Sequence, residues 1–505
     1  MNLGMLLEMV ADAAGDRVVV GSRRDGLTAQ ELHAAARRVA TLLRSRGVEY
    51  VGMVDLNSEA VPVALFGAAL AGLPFAPINY RLTDDKLNSI VARLAPGIVV
   101  AGADIGGRLQ PHDGIEVITT DELLATARDE SSPVDDDLPF VDPEDIAILL
   151  FTSGTTGEPK AAVLRHRHLA SYIITTVEFL GAEADDAQLV SVPSYHVAGV
   201  SAVLSCLYSG RRLCYLPGFD PEEWVRTIED EQISQAMVVP TMLGRVLDEM
   251  ERQGASLSSL RHLSYGGGRM PVELIERAMV TLPDVNYVNA YGLTETSSTI
   301  AVLTPDDHRD SAASDDPAVR RRLGSVGRPL PSVELEIRGP DGDVLPAGEH
   351  GEIYVRGEQV AGEYLGRSVL TDDGWFPTND AGFVDEHGFL YLEGRLDDVI
   401  VRGAENLSPG EIEETLMTHP AVAEAAVVGV PDPEWGEAVA AAVVLAEGEQ
   451  ATEAELQDWV RARLRSTKTP QLIGFYDEMP YNETGKLLRR VLRSDLAAAE
   501  EERAR

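Results

Sequence analysis

The sequence predicts an α/β protein: a large N-terminal domain of layered α/β sheets with a small β meander, then a small C-terminal α+β domain. Three observations carry this. The 505 residues ask for two to four domains, at roughly 100–200 residues each. Helix-period and strand-like runs alternate over most of the length, which favours largely parallel sheets covered by helices. From about residue 332 the texture changes to short runs broken by Gly and Pro, and an α/β rhythm resumes after residue 395.

The elements follow in order. Thr28-Ala-Gln-Glu31 is a capping box, opening a helix with an apolar face at Leu32, Ala36, Val39 and Leu43; Gly47 is its expected stop. A strand over 51–56 and a helix over 60–71 come next. Residues 128–145 are acidic and Pro-bearing, a surface connection, and 305–322 is a second polar stretch. Residues 332–355 read as an antiparallel meander. In the last part we expect a helix over 409–418, strands over 424–430 and 438–445, a helix capped by Thr452 and Glu455, and a strand over 472–476. The division expected is 1–394 for the large domain and 395–505 for the small one.

Composition excludes several classes. Lys plus Arg number 43 against 82 Asp plus Glu, a net charge of −39. So acidic a surface repels phosphate backbones and anionic membranes, which argues against a nucleic-acid partner. The uncharged run 60–78 holds three prolines and is too short and broken for a membrane span. The N-terminus has no basic flank and carries Glu8, so we expect no secretory signal and a cytoplasmic protein. The two cysteines, Cys206 and Cys214, lie in an apolar stretch without metal-ligand spacing and read as small buried hydrophobes.

Arg outnumbers Lys 39 to 4; the lysines are Lys86, Lys160, Lys468 and Lys486. A compact ammonium and a planar guanidinium are not interchangeable at a tight phosphate site. Lys160 and Lys486 both stand beside glycine-containing turns. The first ends Leu149-Leu-Phe-Thr-Ser-Gly-Thr-Thr-Gly-Glu-Pro-Lys160, an apolar strand running into a loop of small hydroxyl and glycine residues. Glycines let backbone amides approach an anion, hydroxyls add donors and lysine adds charge. This suits nucleotide phosphates, although the spacing is not the Walker pattern.

That segment resembles the phosphate loop of the adenylate-forming superfamily: acyl- and aryl-CoA synthetases, peptide-synthetase adenylation domains and beetle luciferases. Further motifs of the superfamily are matched in order by Val192-Pro-Ser-Tyr-His-Val-Ala-Gly199, Tyr265-Gly-Gly-Gly268, Asn289-Ala-Tyr-Gly-Leu-Thr-Glu-Thr296, Trp375-Phe-Pro-Thr-Asn-Asp380, Glu393-Gly-Arg-Leu-Asp-Asp398, Gly403-Ala-Glu-Asn-Leu-Ser-Pro409 and Asn482-Glu-Thr-Gly-Lys486. The resemblance implies ATP-dependent activation of a carboxylic acid to an acyl-adenylate with release of pyrophosphate, then transfer to CoA. ATP, Mg²⁺ and CoA are the implied small molecules, and the small domain is expected to move between the two steps.

By the same resemblance, Thr152, Ser153, Gly154, Thr155, Thr156, Gly157 and Lys160 cradle the phosphates. Gly267, Gly268, Asn289, Tyr291 and Gly292 take the adenine side. Thr294 donates to the α-phosphate, while Glu295, with Thr155, is the expected Mg²⁺ ligand. Asp380 and Arg395 are implied at the ribose. Lys486 is expected to carry adenylation by bridging carboxylate and α-phosphate. Asp397 is the implied hinge, and Gly403 and Ala404 line the thiol tunnel. His196 gates the acyl pocket, with Val197, Val200, Thr241, Gly266 and Ser297 as walls. Lys468 matches a lysine-x-proline element of the small domain.

Four positions depart from the family pattern: Ala161, Asn379 and Ala404 stand where Gly is usual, and Arg269 where a small residue or Pro is common. The pocket walls are mostly apolar, which suits a fatty, alicyclic or aromatic acid better than a dicarboxylate, Arg269 being the exception. Three alternatives share the scaffold: a ligase loading a separate carrier protein, a luciferase-type oxidase, and a non-catalytic nucleotide- or acyl-binding homologue. A monomer or homodimer is expected.

Overall fold

A computed structural model describes residues 1–152, 159–402, 405–432, 435–481 and 487–503. The chain packs into two compact units. The first comprises 1–334 and 355–376, the second 335–354 and 377–505.

Two large sheets build the first unit. One has nine strands. Its six central strands, from Asn286–Leu293 through His262–Gly266, Gln235–Val238, Ala187–Val190 and Arg212–Tyr215 to Val18–Val20, run parallel. Antiparallel strands close both of its edges. The other has eight strands. Ile146–Thr152, Phe75–Pro77, Tyr50–Val54, Gly97–Ala101 and Ile115–Thr119 are parallel, and Lys160–Arg165, Glu363–Tyr364 and Arg367–Ser368 continue antiparallel. The predicted parallel sheets are therefore present, with antiparallel borders.

The helices follow from their caps and faces. Ala29–Ser45 opens on the predicted capping box, and its buried residues include Leu32, Ala36, Val39 and Leu43. Ala60–Ala71 has no polar face, and all twelve residues are buried. It shares a core with strands of both large sheets and with the helices Leu3–Ala14, Ala29–Ser45 and Val197–Ser209. A helix apolar all round has to lie between layers, which disposes of a membrane reading. Among the described residues no helix is long and apolar enough to cross a membrane. The polar stretch 305–322 is more ordered than its composition suggests. Thr304 caps the helix Pro305–Ala313 through a capping box with Asp307, and His308 on that helix is buried.

Cys206 and Cys214 are buried free thiols, and desolvation pushes each up to about 11, so both are inert at neutral pH.

Two histidines tie the N-terminal layer together. His166 Nδ1 accepts from the Leu3 amide and His168 Nδ1 from the Arg165 amide, both at 3.2 Å. Both rings are fully buried. Desolvation holds His166 down to about 4 and His168 to about 3. A nitrogen that accepts a backbone N–H cannot also carry a proton, so both rings must be neutral. The unfolded chain takes up these protons below pH 6.5, and the folded chain does not until far lower. Stability is therefore full above pH 6.5 and falls with acid, together by roughly 4 kcal/mol at pH 5. We expect His166→Asn to shrink the difference in urea-unfolding free energy between pH 7 and pH 5 by about 2 kcal/mol. An unchanged difference would refute the buried-neutral assignment.

The second unit has a four-stranded sheet in the order Glu334–Arg338, Gly351–Arg356, Phe376–Val384, Leu390–Arg395. It also has a five-stranded sheet built on the hairpin Val422–Asp432 and Gly436–Leu445, with Leu472–Phe475 parallel to the latter. The predicted helices are Pro409–Met417 and Glu453–Arg461, the latter with its Thr452–Glu455 capping box. The meander joins this unit because Pro409–Met417 packs on the strand Leu390–Arg395 and Ser408 Oγ donates to the Glu393 carbonyl (3.2 Å). This packing division differs from the expected division at 394/395. Inside the unit, Arg489 is largely buried and donates to the Glu413 carboxylate and the Val427 carbonyl, both at 2.6 Å, with Asp398 at 3.5 Å.

Candidate active site

The phosphate-loop hairpin is set by the pairing of Ile146–Thr152 with Lys160–Arg165, in which Thr152 lies opposite Lys160. Ser153, Gly154, Thr155, Thr156 and Gly157 lie outside the described residues, as do Gly403, Ala404 and Lys486. Ala161 sits in regular strand register opposite Phe151 and is buried in the apolar core, so its methyl does not disturb the exit of the loop.

Two strands of the nine-stranded sheet, His262–Gly266 and Asn286–Leu293, lead to the residues expected on the adenine side. Gly266 pairs with Ala290, and the chain turns at Gly267 with φ +75. The turn is anchored from behind. Tyr265 Oη lies 2.8 Å from His308 Nε2, and His308 Nδ1 lies 2.8 Å from the Thr304 carbonyl. A carbonyl can only accept, so Nδ1 carries the proton and the tyrosine donates to Nε2. Asn289 is buried and donates to the Ser325 carbonyl (3.1 Å). Tyr291 is half-buried at a bulge. A Cβ on Gly292 would meet the Ser298 carbonyl oxygen at 1.8 Å, so only glycine fits there. Arg269 is exposed.

Thr294 and Glu295 form the tight turn Thr294–Thr296. The turn is held by buried groups that the sequence did not single out. Thr296 Oγ1 accepts from the Leu293 amide (3.0 Å) and lies 2.8 Å from the Ser298 carbonyl. Gln359, 1% exposed, donates to the carbonyls of Thr296 (3.1 Å) and Thr299 (2.8 Å). Ser297 and Ser298 have φ of +58 and +130. Strain of this kind persists only where the surroundings enforce it, and it clusters at functional sites. The Ser297 hydroxyl is buried with no protein partner among the described residues. Segment 361–364 clasps Glu295. The amides of Ala361 and Gly362 donate to its carbonyl (2.8 and 3.1 Å), and the Tyr364 hydroxyl donates to its carboxylate. Lys160 Nζ lies 5.7 Å from the centroid of the Tyr364 ring.

His196 precedes the helix Val197–Ser209, 4.7 Å from the Tyr195 ring, which meets Tyr80 edge-on at 5.8 Å. Val200 faces the core, Val197 is half-buried, and Thr241 is the second residue of the helix Pro240–Gln253. Helix Val197–Ser209 also contacts the strand Ser298–Leu303, next to Ser297.

In the second unit, Asp380 and Arg395 are register partners on adjacent antiparallel strands, joined at 2.9 Å. Asn379 has φ +60, a left-handed conformation that glycine adopts freely and that Asn tolerates best among other residues. Its amide donates to Glu352 (3.0 Å) and its side chain to Asp397 (2.8 Å). We expect Asn379→Gly to fold normally and Asn379→Ala to lose about 1 kcal/mol in chemical denaturation. Equal stability of the two would show that the left-handed backbone is unimportant. Lys468 is bound to Glu411 on the helix Pro409–Met417.

Among the described residues no group of three or more His, Cys, Asp or Glu could hold a metal. A single oxygen donor such as Glu295 fits Mg²⁺, which is usually held by one or two carboxylates plus substrate phosphates.

The fold and both half-sites define a class. Residues 7–365 match the AMP-binding enzyme family and 411–486 its C-terminal domain. The chain belongs to this family, within the adenylate-forming superfamily of acyl- and aryl-CoA synthetases. Feruloyl-CoA synthase of an Amycolatopsis species is 34% identical over 475 residues, 92% of each chain. A fatty acid–[acyl-carrier-protein] ligase of Streptomyces coeruleorubidus is 32% identical, covering 92% of this chain and 91% of that one. Among solved structures, o-succinylbenzoate CoA synthetase of Bacillus subtilis with its acyl-adenylate intermediate superposes with a TM-score of 0.82, 28% identity and 97% coverage of each chain.

Proposed function

We propose that the chain is an AMP-forming acid:CoA ligase acting on an aromatic or alicyclic carboxylic acid. The observation that carries this is Glu295 on a strained turn, clasped by segment 361–364 beside the phosphate-loop hairpin. The feruloyl-CoA and o-succinylbenzoate relatives, together with apolar Val197, favour a ring-bearing acid.

The acid's carboxylate oxygen attacks the α-phosphorus of ATP, and pyrophosphate leaves with its electron pair. Both partners are anionic, so positioning and charge neutralisation carry the step. Lys160 meets the outer phosphates and Thr294 the α-phosphate. Glu295, with Thr155, would hold Mg²⁺, which would supply neutralisation of phosphate charge. Asp380 accepts from a ribose hydroxyl and Arg395 donates nearby. Lys486 bridges carboxylate and α-phosphate. The segment beyond the 394/395 cut then turns at Asp397, removing Lys486 and bringing Gly403 and Ala404 to the thiol path. The CoA sulfur attacks the acyl carbonyl, its proton passes to solvent, and AMP leaves. His196 closes the acyl pocket with Tyr195.

The carrier-protein ligase at similar identity supports a second reading, in which the thiol belongs to a separate carrier protein. A panel of aryl, alicyclic and fatty acids, assayed for pyrophosphate and thioester with and without CoA, separates them. CoA-dependent thioester from an aryl acid is expected. Pyrophosphate release without thioester would favour the carrier reading, and no pyrophosphate with any acid would overturn both.

A further inference from the structure

We infer that Tyr364 is a positioning residue for the metal side of the site: its hydroxyl orients the Glu295 carboxylate while its ring lies beside Lys160. This rests on Glu295 holding Mg²⁺ as proposed above.

The two residues are 69 positions apart in sequence: Tyr364 lies on a strand of the eight-stranded sheet, and Glu295 lies on the turn that follows Asn286–Leu293 of the nine-stranded sheet. Tyr364 lies on the short strand Glu363–Tyr364, opposite Ala162 and two residues along from Lys160. That strand is fixed on every side. The Leu365 amide donates to the Ala161 carbonyl (2.8 Å). Glu363 takes a two-pronged contact from Arg165, at 2.9 and 2.7 Å. On the other side the Ala361 and Gly362 amides hold the Glu295 carbonyl. The tyrosine hydroxyl therefore reaches the carboxylate from a rigid base, while Glu295 itself stands on a turn next to two strained serines.

The choice of donor is chemically pointed. A phenol engages one lone pair of the carboxylate and is neutral, so the negative charge that a hard cation needs is undiminished and the remaining oxygen sites stay oriented. A guanidinium there would neutralise the carboxylate. Partners of this kind, one step removed from the metal, commonly change metal affinity 10–100-fold. The ring meanwhile gives the Lys160 ammonium an attractive face that leaves its charge available to phosphate. One side chain thus sets the spacing between the expected metal ligand and the phosphate lysine.

The test is a cycle of Tyr364→Phe, Tyr364→Leu, Glu295→Gln and the Phe/Gln double variant of the full chain. The probe is ATP affinity by calorimetry, with and without Mg²⁺. Tyr364→Phe keeps the ring, so its ligand-free thermal midpoint and its Mg²⁺-free ATP affinity should match wild type. Its Mg²⁺·ATP affinity should fall about tenfold, and in the Glu295→Gln background the same change should cost less than about twofold. Tyr364→Leu should additionally weaken Mg²⁺-free ATP, because the face beneath Lys160 is gone. Equal losses with and without Mg²⁺ in Tyr364→Phe, or an undiminished loss in the Gln background, would overturn the proposal. If Glu295→Gln leaves the Mg²⁺ enhancement of ATP binding intact, the metal assignment and this proposal fall together. If wild type binds Mg²⁺·ATP yet releases no pyrophosphate with any acid, only the ligase reading fails, and the binding cycle still decides the role of Tyr364.

Discussion

Lys486→Ala should reduce acid-dependent pyrophosphate release about 1,000-fold, roughly 4 kcal/mol of transition-state stabilisation. The chain has only four lysines among 43 basic residues, and this one directly follows Gly485 in the sequence. In the adenylation step, negative charge on the attacking carboxylate and on the α-phosphate must approach closely, and a single preorganised ammonium between them is worth most at that moment. The variant should therefore lose kcat more than ATP affinity. Conversion of a chemically supplied acyl-adenylate to thioester should stay within a few-fold of wild type, because the proposed mechanism gives the lysine no part in thiol attack. The measurement is single-turnover adenylation alongside thioester formation from added adenylate. Equal losses in both half-reactions would show that Lys486 is needed for folding or for the thiol step, and would remove it from its proposed role.

Glu295→Gln should lower pyrophosphate release about 100-fold at saturating ATP and raise the Mg²⁺ concentration needed for half-maximal rate. The substitution keeps the side-chain shape and can still accept from Tyr364, so the turn should survive. What disappears is the charge. Raising Mg²⁺ should recover part of the loss. A drop that is independent of Mg²⁺ would mean that Glu295 acts through the turn rather than through the metal. Lys486→Ala, by contrast, should be insensitive to Mg²⁺, so the two variants separate the two sources of charge neutralisation.

Much of the fold was legible because short-range chemistry decides it. The capping boxes at Thr28 and Thr452 start helices whatever else happens, since they satisfy the first amides locally. The apolar run at 60–71 became the helix shared by two sheets because it has no face to give to water. The polar stretch 305–322 was less legible. Its order comes from a cap at Thr304 and from His308 reaching Tyr265, which is 43 residues away in sequence.

The candidate site divides in the same way. Glycines and hydroxyls in runs announce a phosphate loop, because an anion needs close amides in consecutive residues. Gly292 and Glu295 stand in one continuous motif for a similar reason. Tyr364, Gln359 and His308 carry no such pattern. Each acts at 43 to 69 positions' remove, and only the strand order brings them to their partners. Asn379 shows the converse, an irregular residue whose left-handed backbone explains it once φ is known.

By itself, then, the sequence determined the fold class, the strongly acidic charge balance, and the ordered motifs of an adenylate-forming enzyme. Those properties reside in composition and in contiguous residues. The tertiary structure alone decided what orients Glu295, what braces the adenine-side turn, and that the meander packs with the C-terminal residues. These depend on side chains distant in sequence that meet across strands, and strand pairing is settled by burial of the whole core rather than by any local run.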